Sequence, residues 1–155
     1  MRDLPVEQEV GMILTIGYER TDVASFIRCL LDAEVEILVD VRDRPLSRKP
    51  GFSKNALKAA VEAAGLEYVH FKALGDPKPG RDAARAGDHE RFVMIFSEHM
   101  RTAEATEAIG SLVGSMMGRR ICLTCFERSH EACHRTMVAA SLAAATGAPI
   151  KHLTV

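Results

Sequence analysis

The chain has 155 residues, 47% of them hydrophobic and 26% charged, which is the ordinary balance of one soluble globular domain with a proper core. Twenty Lys+Arg against 21 Asp+Glu give a formal charge of -1, which excludes a globally basic nucleic-acid coat and leaves local basic patches to be found. No apolar run reaches the roughly 18 residues that span a bilayer, and residues 1–11 lack the basic-then-apolar layout of a signal peptide, so a cytoplasmic protein with no membrane partner is expected.

Apolar strand-like runs alternate with amphipathic helical patterns along the chain, without internal repeats, low-complexity tracts or linkers. The first strand is predicted over residues 12–18 (MILTIGY). Thr21 and Asp22 offer caps for a helix whose Val23, Phe26, Ile27, Leu30 and Leu31 share one face, with Cys29 off the stripe. Residues 36–41 (EILVDV) are nearly all apolar, as in a parallel strand covered on both faces. After a loop rich in Arg, Pro and Lys, Ser53 opens a second helix with Ala56, Leu57, Ala60, Val61 and Ala64 facing the core and Gly65 ending it. Residues 67–71 are the third strand, and residues 72–88 read as a long loop of the kind that forms lids or binding segments. Residues 89–117 read as two helices broken near 100–102. Residues 119–126 (RRICLTCF) are the fourth strand, residues 132–146 the last long helix, stopped by Gly147, and residues 150–154 the fifth strand.

The expected fold class is therefore α/β: a tail over residues 1–11, then a single three-layer domain over 12–155, with a mostly parallel five-stranded sheet and helices on both faces. Strand order is not legible. Ligands of such sheets bind at the loops outside the carboxyl ends of the strands, which gathers Gly17-Tyr18-Glu19-Arg20, residues 42–49, residues 72–88 and residues 125–135 on one rim. In the second of these, Arg42, Arg44, Arg48 and Lys49 outnumber the one acid, Asp43, and Arg forks suit phosphate or carboxylate.

The fourth loop carries Cys125, His130, Cys133, His134 and Arg135. Three cysteines bunched at 122, 125 and 133 do not make a secreted disulfide framework and point to metal, redox or nucleophile chemistry. With Ser129 as the cap, Cys133, His134 and Arg135 are expected in the first turn of the last helix, where the dipole and the cations favour a thiolate. Cys122 and Cys125, three apart in a strand, point to opposite faces, so Cys122 is read as core. A zinc site from Cys125, His130, Cys133 and His134 has suitable donors. It lacks a second spaced ligand pair, however, and neighbours on a helix point about 100° apart, so no metal and no cofactor are expected.

The segments TIGYE (Thr15 to Glu19), LVDVRDRPLSR (Leu38 to Arg48) followed by Phe52 and Ser53, YVHFKALGD (Tyr68 to Asp76) and LTCFERSHEACHR (Leu123 to Arg135) resemble, in order, the blocks of the domain-of-unknown-function 488 family. The resemblance implies a small α/β domain without an assigned reaction. It marks Arg42, Ser47, Cys125, Cys133, His134 and Arg135 as site residues, and Asp76 as standing where relatives often continue with Gly. A weaker, fold-level likeness to rhodanese-type sulfurtransferases and their phosphatase relatives lacks the glycines of a tight anion cradle.

The expected function is an enzyme acting on an anionic small molecule, phosphate-bearing or nucleotide-like. Cys125, Cys133 and His134 are its catalytic candidates, and Tyr18, Arg42, Arg44, Ser47 and Arg135 would bind substrate. The alternative is a non-catalytic nucleotide-binding or nucleic-acid-binding accessory module. Nucleic acid is the less favoured partner, because the chain has no Trp and only two Tyr for base stacking.

Overall fold

A computed structural model describes residues 11–155. The expected tail lies outside the described residues except for Gly11. Among those described, five strands form one sheet: β1 (Met12–Gly17), β2 (Ile37–Asp40), β3 (Glu67–His70), β4 (Arg120–Cys125) and β5 (Ile150–His152), in the order β3-β2-β4-β1-β5, all neighbours parallel. The helices between them are α1 (Val23–Asp32), α2 (Lys54–Ala63), α3 (Lys78–Arg85), α4 (His89–His99), α5 (Ala103–Met116) and α6 (Arg135–Thr146).

The period of two along the strands builds the layers. Leu14, Ile16, Leu38 and Cys122 pack with Phe26, Leu30, Leu57 and Val61 of α1 and α2. Ile13, Ile37, Val39, Ile121 and Leu123 pack on the other face with Phe92 and Phe96 of α4, Leu112 of α5 and Val138 and Leu142 of α6. Cys122 is thus core on one side while Cys125 continues the opposite set, as the spacing predicts. Asp22 caps α1 through a 2.7 Å bond from the Ser25 amide, and Gly65 and Gly147 end α2 and α6 with φ of 89° and 76°. Leu31, expected on the buried face of α1, is exposed.

Two segments depart from the sequence reading. Residues 72–88 are not an open loop: a 3-10 turn (Lys72–Leu74) leads into α3, whose first turn carries Pro79, tolerated there because its missing N–H would be unpartnered in any case. The last helix starts three residues later than expected. Ser129 precedes only a 3-10 turn (His130–Ala132), Cys133 is extended at φ -120° and ψ 141°, and His134 is the residue that precedes α6.

Strand order also locates the ligand edge. β4 lies between β1 and β2, and the chain leaves β1 and β2 toward the α1/α2 layer but leaves β4 toward α6, on the opposite face. Connections that diverge to opposite faces open a crevice outside the carboxyl ends of their strands. Gly17 pairs in register with Cys125, and Asp40 with Thr124, so Tyr18, Arg42 and Cys125 meet at that crevice.

Candidate functional site

The end of β2 is fixed by a buried ion pair. Arg42 donates from Nε to Asp40 Oδ1 at 2.8 Å and from Nη2 to Oδ2 at 2.7 Å, while Nη1 reaches the Phe52 carbonyl at 2.6 Å and the Tyr18 hydroxyl at 3.2 Å. Tyr68 donates its hydroxyl to the same carboxylate at 2.5 Å, and with Asp40 beside it the buried phenol is held well above its ordinary range. Tyr18 in turn stacks on Phe52, ring centroids 4.6 Å apart. The loop beyond is laced internally: the Ser47 amide donates to Ser53 Oγ at 3.0 Å, and Lys49 Nζ donates to the Tyr18 and Thr21 carbonyls. These bonds leave Arg44 and Arg48 exposed, with no carboxylate partner among the described residues.

The β4–α6 loop is organised around Arg135, which is 0% exposed. Its Nη1 donates to the Glu127 carbonyl at 2.5 Å and lies 3.1 Å from Cys125 Sγ, and its Nη2 donates to the Arg128 carbonyl at 3.2 Å. The side chain thereby folds the loop back over the sheet and sets a positive charge against a sulfur. Cys125 and Cys133 meet sulfur to sulfur as a disulfide, their Cα atoms 7.3 Å apart. His134 donates from Nε2 to the Val41 carbonyl at 2.6 Å, which fixes its tautomer and turns the Nδ1 lone pair toward Cys133 Sγ, 3.7 Å away. Burial holds this imidazole down to about 4, so it is neutral at pH 7.

Between the two loops and α3 lies a cavity of about 930 Å³ lined by Tyr18, Arg44, Ser47, Arg48, Asp76, Arg81, Arg85, Cys125, Phe126 and Glu127 among others. Arg81 is anchored by Asp43 at 2.6 Å and by the Asp76 carbonyl at 2.8 Å. Two carboxyls face the cations. Glu127 Oε2 lies 3.4 Å from Cys125 Sγ, and burial pushes this carboxyl up. Asp76 is 5% exposed and its Oδ1 is buried with no hydrogen-bond partner. Burial, then the charges of Glu127 and Asp43, outweigh Arg81 and raise it to about 7.

Such a shift is a statement about stability. A carboxyl whose folded value lies above its ordinary 3.8 binds more protons folded than unfolded between pH 4 and 7, so its contribution falls as pH rises through that window. His134, shifted down to about 4, acts in the opposite sense between pH 4 and 6.5. Asp76→Asn is therefore expected to remove the falling component. Urea unfolding at pH 5 and pH 8 should show the variant gaining stability over the parent at pH 8 by more than at pH 5, and an equal difference at both would place the proton elsewhere.

Compared with known families, residues 22–142 match the family described as Domain of unknown function DUF488. The chain belongs to this family. No curated protein and no solved structure matches it.

Several candidates of this DUF488 protein sit where the sequence places them, at one end of the sheet, but with different duties. Arg44 and Ser47 line the cavity. Arg42 also lines it, yet four of its five N–H groups are engaged by Asp40, Tyr18 and Phe52. The same bonds tie the loop bearing Arg44 and Arg48 to the end of β2 through the Phe52 carbonyl. Arg135 is engaged in a similar way, by the Glu127 and Arg128 carbonyls, with its Nη1 beside Cys125 Sγ. Tyr18 serves Arg42 with its hydroxyl. Cys133 is not in the first turn of α6, and Cys125 lies in the cavity wall with Cys133 behind it. His130 stacks on His152, centroids 3.7 Å apart, away from the sulfurs' third neighbour, His134.

The sequence reading missed Asp40, Glu127 and Arg81. Asp40 sits inside an apolar strand, where a lone acid signals a buried partner. Glu127 is two residues beyond Cys125, and the strand period carries it to the same side. Arg81 was hidden because α3 was read as a loop. No helix among the described residues is long and apolar enough to cross a membrane.

Proposed function

We infer that this DUF488 protein is a thiol enzyme acting on an anionic small molecule, phosphate-bearing or nucleotide-like. The observation that carries the reading is Cys125 Sγ in the wall of a cavity ringed by Arg44, Arg48, Arg81 and Arg85, with the Arg135 guanidinium 3.1 Å behind the sulfur. In the reduced protein that guanidinium stabilises the Cys125 thiolate, the attacking form. Arg44 and Arg48, exposed and without carboxylate partners among the described residues, are free to hold the anion. Asp76, protonated to about neutral pH, supplies the proton that a departing group needs. Cys133 is the second thiol, with the neutral His134 Nδ1 lying 3.7 Å from its sulfur.

The test is a panel of phosphate esters, nucleotides and sulfated or carboxylated small molecules offered to the reduced protein. Cys125→Ser is expected to abolish turnover of the substrate found while its Kd changes little. Each charge-assisted contact contributes about 1.5–3 kcal/mol, so Arg44→Ala with Arg48→Ala should weaken binding by at least about a hundredfold. Full turnover by Cys125→Ser would turn the reading into that of a binding module.

A further inference from the structure

Cys125 Sγ, Cys133 Sγ and a nitrogen of His134 lie within 4.8 Å of one another, all three residues buried. We propose that in the reduced protein these three groups form a binding site for a zinc-class divalent cation, with its fourth coordination position open toward the cavity and Glu127 beside it. The inference goes beyond the enzymatic reading and does not need Cys125 to act as a nucleophile.

Four features of the geometry support it. First, thiolate and imidazole are the donors such a cation selects, and a set of two Cys and one His with one open position is a known catalytic ligation pattern of zinc. Second, His134 is oriented as a ligand must be. Its Nε2–H is committed to the Val41 carbonyl at 2.6 Å, so Nδ1 carries a lone pair on the side of the sulfurs, and a carbonyl on the far nitrogen is the usual outer support of a metal-bound imidazole. Third, the sulfurs have donors around them: Arg135 Nη1 lies 3.1 Å from Cys125 Sγ and the Arg135 amide 3.5 Å from Cys133 Sγ, bonds that stabilise anionic sulfur.

The fourth is the spacing of the backbone. The Cys125 and Cys133 Cα atoms are 7.3 Å apart, whereas disulfides usually hold theirs at about 4.4–6.8 Å. Bonds of about 2.3 Å at a tetrahedral angle set two zinc-bound sulfurs about 3.8 Å apart, which the wider span accommodates. The objection raised by the sequence, that neighbours on a helix diverge, also lapses: Cys133 is extended and His134 is helical, and the bend between them brings both side chains to one point.

Charge is consistent as well. Two thiolates neutralise a divalent ion, and Arg135 and Glu127 offset each other at its edge. A hard cation such as magnesium, which prefers oxygen, has no reason to compete.

The test uses the full chain, reduced and then freed of metal, titrated with zinc alone and with cobalt as the spectroscopic probe. One equivalent should bind, insensitive to excess magnesium. Cobalt should give the intense visible bands of a tetrahedral site together with thiolate-to-metal charge transfer. Loss of a ligand should cost more than the roughly 10–100-fold that outer partners cost, so Cys133→Ser and His134→Gln should each weaken zinc by more than about a hundredfold, while Cys122→Ser should not. Bound zinc should protect Cys125 and Cys133 from alkylation and leave Cys29 unprotected. If His134→Gln fails to fold, the cobalt spectrum of the unaltered protein decides. Absence of tetrahedral sulfur ligation there, or zinc binding that survives in Cys125→Ser/Cys133→Ser, overturns the site. Either result would leave the enzymatic reading to its own test, since that one is read in substrate turnover.

Discussion

Arg42→Met should lower the free energy of unfolding by about 3–5 kcal/mol, the cost of leaving a buried charge without its partner. Asp40 is fully buried and accepts from Arg42 Nε and Nη2 and from the Tyr68 hydroxyl. Methionine fills much of the space and supplies none of those donors, and the Phe52 carbonyl and Tyr18 hydroxyl lose theirs as well. The loop bearing Arg44, Ser47 and Arg48 is hung on the same guanidinium, so anion affinity should fall together with stability. The companion Asp40→Asn/Arg42→Met removes the orphaned charge and should recover part of the loss. Urea titration measures both through the midpoint at constant slope. A loss below about 1 kcal/mol for Arg42→Met would mean that Asp40 finds water or another cation, and the anchoring role would be lost.

Gly17→Ala should cost about 1–3 kcal/mol as an overpacked contact, and it should slow the alkylation of Cys125 in the reduced protein. Gly17 ends β1 opposite Cys125, and a Cβ there would strike the Glu127 carbonyl and crowd the Arg128 backbone. Those are main-chain atoms, which cannot swing aside as a side-chain tip would, and their carbonyls hold Arg135. Moving the loop therefore draws the guanidinium away from Cys125 Sγ. Weakening a contact of about 1.5–3 kcal/mol lowers the thiolate fraction tenfold or more. The remaining thiolate is intrinsically more reactive, so the net slowing should be roughly three- to tenfold. Mass-spectrometric labelling at pH 7, with Cys29 as the internal reference, reads this directly. An unchanged Cys125 rate alongside the expected loss of stability would dissociate Arg135 from thiol reactivity.

What the sequence determined was everything that a local period encodes. The alternation of apolar strands with amphipathic helices gave the α/β class, and the period of two separated Cys122, in the α1/α2 core, from Cys125 at the crevice. The cations after β2 and the sulfurs after β4 were legible at the carboxyl ends of the strands, because burial pattern and residue chemistry are written residue by residue. The tertiary structure decided which of these residues meet. Strand order placed β4 between β1 and β2, through contacts far apart in the chain that no local pattern records. A charged side chain announces that it needs a partner but not which one, so the sequence marks Arg42 and Arg135 as cations at the rim, and only the tertiary structure brings Asp40 to the first and the Glu127 and Arg128 carbonyls to the second. The start of α6 turned on a balance between a 3-10 turn and a helical one, too small in energy for propensity to settle. That local balance, resolved by packing, left Cys133 extended and brought its sulfur to Cys125 and His134.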